Sequence, residues 1–90
     1  MFNYAKLIKE YAGHQGYSLG LEGYHRLKGN NYLAKHYAKL AADFSSVTIK
    51  LKNRAEKNNC LIKRVILNEI HDFGIIQGRV DASENFAVNS

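Results

Sequence analysis

Hydrophobic and polar residues alternate along most of this chain with the period of an α-helix. Tyr4, Leu7, Ile8 and Tyr11 fall at i, i+3, i+4 and i+7 on one arc, with Lys6, Lys9 and Glu10 on the other, so the spacing predicts an amphipathic helix over 2–12. Gly13 stands where a helix-terminating glycine is expected. Residues 17–28 continue the pattern through Leu21, Tyr24 and Leu27. Gly20 and Gly23 each cost about 1 kcal/mol against Ala in a helix interior, which leaves a partly helical loop as the alternative. Gly29-Asn30-Asn31 reads as a turn with an N-cap. A third helix follows over 31–44, with Leu33, Tyr37, Leu40 and Phe44 on one face and Lys35 and Lys39 opposite.

From Ser46 two templates compete. Val47, Ile49 and Leu51 alternate with Thr48, Lys50 and Lys52, which is a strand pattern. A long helix from about Ser46 to Asp72, capped by Ser45 or Ser46, instead gathers Val47, Leu51, Ala55, Ile62, Ile66 and Phe73 on one stripe, and it accounts for more of the chain. Residues 74–90 carry two glycines among polar positions and read as a frayed tail or a short extended piece. The expected architecture is an all-α bundle of three to four helices over 1–73, with a C-terminal tail. The alternative is α+β, with strands near 46–52 and in the tail.

Composition narrows the class. Ninety residues with 46% apolar side chains and no proline suit one small helical domain and exclude a large catalytic fold. A chain this short has a thin core, and three apolar stripes exceed what it easily hides, so self-association as a homodimer is expected. The single cysteine, Cys60, cannot form an intramolecular disulfide, which points to a reducing, intracellular and cytoplasmic setting. No apolar run reaches membrane-spanning length, so no membrane partner is expected.

Charge adds a functional signal. The net charge of +5 is uneven: residues 1–68 carry 12 basic and 4 acidic side chains, whereas 69–90 carry one Arg and four acids. On a continuous helix Lys50, Arg54, Lys57 and Arg64 share one face, a row of cations suited to phosphates. These four are the candidate nucleic-acid contacts, with RNA or DNA as the partner. The bland alternative is a solvated helix face. All six tyrosines lie in the first 37 residues. Tyr4 and Tyr11, and Tyr17 and Tyr24, stand two turns apart, which makes a partner-binding face for a protein–protein adaptor or inhibitor. Core packing is the competing use.

Catalytic chemistry is sparse. Glu10 and His14, and Glu22 and His25, each place a carboxylate and an imidazole within one turn of helix. Such a pair is half of a di-metal carboxylate site that a dimer would complete. Cys60 has no CxxC partner, Ser45-Ser46 has no His/Asp set, and no phosphate-binding glycine loop occurs. The reading is a non-enzymatic binding module without cofactor.

Two resemblances agree with helices. Gly29-Asn-Asn-Tyr-Leu-Ala-Lys35, followed by Ala42, Lys50 and Ala55, resembles the helical extension that precedes Smr domains, over residues 4–62. In that family an I-D-L-H-G-L strand comes next. Here Ile70-His71-Asp72-Phe73-Gly74-Ile75 stands in its place, with Asp and His out of family order. These ninety residues hold no complete Smr domain, and no catalytic role carries over. Gly29, Ala34 and Ala41 are similar to the small-residue spacing of a tetratricopeptide hairpin, and Tyr-Ala-Lys-Leu recurs at 4–7 and 37–40. Both resemblances imply antiparallel helices and interaction rather than catalysis.

Overall fold

The computed structural model describes residues 3–57 and 63–86, and its three helices are α1 (Tyr4–Leu27), α2 (Asn31–Lys57) and α3 (Arg64–Phe86). The fold is all-α, and no strand occurs among the described residues. α1 is the spine. α2 runs antiparallel along one side of it, α3 runs parallel along another, and both pack on α1 rather than on each other. The result is a rod of 49 × 21 × 19 Å.

The helix ends follow local chemistry. Asn3 caps α1 by accepting a hydrogen bond from the Lys6 amide at 3.0 Å. α1 ends in a Schellman motif. The Asn30 amide donates to the His25 carbonyl at 2.8 Å and the Gly29 amide donates to that of Arg26 at 3.2 Å, with Gly29 at φ 78°. Asn30 then caps α2 by accepting from the Leu33 amide at 3.2 Å.

The boundaries differ from expectation at three places. Gly13 does not end a helix, because α1 continues through Gly13, Gly16, Gly20 and Gly23. Ser45 and Ser46 cap nothing: the expected helices over 31–44 and 46–72 are α2, unbroken to Lys57, followed by a separate α3. Val47, Thr48 and Ile49 are helical, not a strand. The proposed seam is therefore split, with Val47, Leu51 and Ala55 on α2 and Ile66 and Phe73 on α3, and Ile62 lies outside the described residues. Residues 74–86, read as a tail, are the second half of α3. Residues 70–75, where the Smr family has a strand, are helical as well.

Small residues explain the packing. On α2, Ala34, Ala41, Thr48 and Ala55 recur every seven positions and are all buried. The Thr48 hydroxyl donates to the Phe44 carbonyl at 2.8 Å, so its polarity is satisfied within the helix. Leu51, Ala55, Ile8, Ala12 and Leu67 form the apolar cluster where the three helices meet.

The α1–α3 contact is closer still. Gly16 and Gly20 on α1 face Gly74 and Gly78 on α3, a matched pair of small-xxx-small spacings. A Cβ on Gly74 would lie 2.6 Å from the Gly13 carbonyl oxygen. A Cβ on Gly16, Gly20 or Gly78 would overlap the carbonyl oxygens of His71, Ile75 and Tyr17 respectively. These glycines are required because backbone meets backbone.

Candidate nucleic-acid interface

The outer face of α2 carries the strongest charge feature. α2 holds six Lys or Arg residues against Asp43 and Glu56. Because the helix is continuous from Asn31, Lys35 and Lys39 fall in line with Lys50 and Lys57. At 100° per residue the four occupy an arc of about 60°, opposite the buried Ala34/Ala41/Thr48/Ala55 row. All four are exposed, and none forms an ion pair with a carboxylate of the described residues. At 1.5 Å rise per residue the row is about 33 Å long. Arg54 is exposed along its border, and Asp43 lies at its edge.

Of the four cations expected to share a face, the structure keeps Lys50, Arg54 and Lys57 together. Arg64 leaves the set, because it opens α3, a different helix. Lys35 and Lys39 replace it. Sequence reasoning missed them by breaking the helix at Ser45-Ser46. The seven-residue recurrence of Ala34, Ala41, Thr48 and Ala55 across that point was the signal that could have found them.

The four tyrosines expected to meet a partner are half-buried in α1. Tyr4 and Tyr11 pack against the apolar cluster, and the Tyr11 ring lies 6.0 Å from that of Phe44 on α2. The Tyr17 hydroxyl donates to Asp81 Oδ2 on α3 at 2.7 Å, while Gln77 donates to Asp81 Oδ1 at 2.8 Å. That bond, burial and the nearby carboxylate charge raise the Tyr17 pKa above its ordinary 10.0. Tyr24 stands edge-on to His25 at 5.3 Å with the Lys28 ammonium 5.7 Å from its ring centre. The first three serve contacts between helices and the last covers the hairpin end, because α1 is covered on two sides.

The two Glu–His pairs do not converge. The Glu22 carboxylate pairs with Arg26 at 2.6 Å rather than with His25. His25 is buried and stacks on Tyr37 of α2, 5.5 Å between centres and 12° from parallel, and burial lowers its pKa below 6.5. His14 lies against Phe44 at 5.5 Å. Among the described residues no group of three or more His, Cys, Asp or Glu could hold a metal ion. Cys60 lies outside the described residues.

An open cleft of about 370 Å³ lies between α2 and α3, floored by Ala12 and Gln15 and walled by residues such as Thr48, Lys52, Asn68 and His71. Ser45 and His71 both line it. No helix among the described residues is long and apolar enough to cross a membrane. No family model, characterised protein or solved structure matches this chain.

Proposed function

We propose that this protein is a non-enzymatic binding module that holds the phosphate backbone of nucleic acid along the outer face of α2. The observation that carries the reading is the row of Lys35, Lys39, Lys50 and Lys57: exposed, on one helix, and without an ion pair to a carboxylate of the described residues. A length of about 33 Å matches roughly one turn of B-form duplex, and the ammonium groups contact phosphates as point charges without reading bases. Affinity then depends steeply on salt and weakly on sequence.

The test is fluorescence anisotropy with labelled duplex and single-stranded oligonucleotides from low to physiological salt. Four neutralised phosphates give a log–log slope of about −3.6 on duplex and about −2.8 on single strands. Changing the four lysines to Ala is expected to abolish most of that slope. Helix content should be kept, because all four side chains are exposed and Ala is the best helix former. Arg64→Ala should leave the slope nearly unchanged. A slope that survives the quadruple change would refute the proposal, as would absence of binding at low salt.

A further inference from the structure

α3 is apolar on two opposite faces. One carries Leu67, Gly74, Gly78 and Ala82 and is buried against the rest of the fold. The other carries Val65, Ile66, Phe73, Ile76 and Val80 around the exposed Glu69, with Phe73 66% and Ile76 59% exposed. Ile66, Phe73 and Val80 recur every seven residues and Ile76 stands three after Phe73, which is the a/d spacing of a two-helix seam. We infer that this face pairs with a second copy of the chain, α3 against α3 in antiparallel orientation about a two-fold axis.

Charge and register select that occupant. With the axis between Phe73 and Ile76, each Phe73 packs opposite the other copy's Ile76. Asp72 and Arg79 lie along one edge of the seam, so each Asp72 meets the other copy's Arg79. Lys63 and Glu84 lie along the opposite edge and pair in the same way. Two-fold symmetry makes each of these ion pairs twice. All four side chains are exposed; the Arg79 guanidinium lies beside Gly23 of α1 and Asp72 Oδ1 is 3.8 Å from His71 Nδ1, so these two turn outward to pair. Glu69 takes the d position before Ile76: in this register it lies opposite the other copy's Val80, whereas in a parallel pair it would face its own copy, where two carboxylates repel. The exposed apolar surface is on the order of 500 Å² per copy, so two copies reach the ~1,000 Å² that a specific interface needs. The lysine row lies on α2 and takes no part in the seam.

Sedimentation equilibrium of the full chain, with circular dichroism as the folding control, tests the pairing. The chain is expected to be a closed dimer at tens of micromolar. Phe73→Glu and Ile76→Glu should each weaken dimerisation by at least about a hundredfold with unchanged helix content, because both side chains are exposed in the single copy. Asp72→Arg and Arg79→Asp should each weaken it by about tenfold, and the double exchange should restore it, because the pairs re-form with reversed sign. A parallel dimer would not be rescued, because Asp at 79 would then repel Glu84. The inference is overturned by a monomer at high concentration, by a dimer indifferent to Phe73→Glu, or by failure of the double exchange. Open-ended growth would also overturn it, since that is the signature of α3 docking head-to-tail on the basic face of α2.

Discussion

The same substitution made four times on one face of α1 should split into opposite signs. In an ordinary helix interior Gly→Ala stabilises by about 1 kcal/mol, because glycine loses the most backbone entropy on folding. At Gly13 a new Cβ would lie 3.6 Å from Ile70 Cγ2, and at Gly23 it would lie 3.7 Å from the Arg79 guanidinium, both ordinary contacts with side chains that can adjust. At Gly16 it would overlap the His71 carbonyl, with His71 Cα at 3.2 Å. At Gly20 it would overlap the Ile75 carbonyl, with the Arg79 amide and Gly78 Cα at 3.0 Å. Backbone cannot rotate away, so α3 must shift by about an ångström, which forfeits a quarter to a half of the dispersion energy along the contact. We expect Gly16→Ala and Gly20→Ala each to destabilise by roughly 3 kcal/mol, the upper end of overpacking costs. In a chain of this size that lowers Tm by roughly 12–24 °C, while Gly13→Ala and Gly23→Ala raise it by roughly 4–8 °C. Thermal melts followed at 222 nm, at fixed protein concentration, read both signs. If Gly16→Ala melts no lower than Gly13→Ala, the close α1–α3 contact is not as described.

Two pH predictions concern groups between helices, the buried His25 and the half-buried Tyr17. His25 has a folded pKa below 6.5, so the unfolded chain binds its proton first, and stability is full above about pH 6.5 and falls as the pH drops from there toward the folded value. Urea titrations should show a slope of up to about 1.4 kcal/mol per pH unit in that window, and His25→Phe should flatten it; an unchanged slope would remove His25 as the cause. Tyr17 has a folded pKa above 10.0, so its contribution is full below pH 10 and lost as the pH rises through the folded value. Tyr17→Phe should cost about 1 kcal/mol at pH 7 and reduce the alkaline decline, whereas equal loss above pH 10 in both proteins would contradict the assignment.

Periodicity made the helices and the hairpin legible, and the positions that deceived it share one cause. Glycine and serine are read as breakers on local propensity alone, but here tertiary contact decides. Gly13 is carried within α1, and at Gly16 and Gly20 α3 needs the missing side chains. Gly74 and Gly78, which made residues 74–90 look like a tail, answer them across the interface. Both Gly-xxx-Gly spacings were visible in the sequence, but they carry meaning only as a pair, and periodicity considers one segment at a time. Thr48 completes the strand-like alternation of 46–52 and also occupies the buried heptad row of α2, and the longer-range fit wins. The basic face was legible at Lys50, Arg54 and Lys57. Its extension to Lys35 and Lys39, and the loss of Arg64, depended on where helices begin and end.

The thin core and the exposed seam on α3 have a common origin in how this chain allocates its apolar residues. A helix covered on two sides cannot be amphipathic, so α1 turns Ile8, Ala12, Ser18 and Leu21 inward together with Gly16 and Gly20. Gly and Ala lose no side-chain entropy when buried, and they let backbones approach closely, but each removes little apolar area from water. Ile8 is the one large side chain among the described residues that is fully buried. Packing by small residues therefore leaves Phe73, Ile76 and Val80 with no inward position on α3, because beyond Leu67 the buried positions are Gly74, Gly78 and Ala82. Their outward placement is the consequence of the close α1–α3 contact rather than an accident of it. Gly16→Ala, by forcing α3 away from α1, should for that reason also disturb the outer seam, although Gly16 lies on a different helix and touches the opposite face of α3.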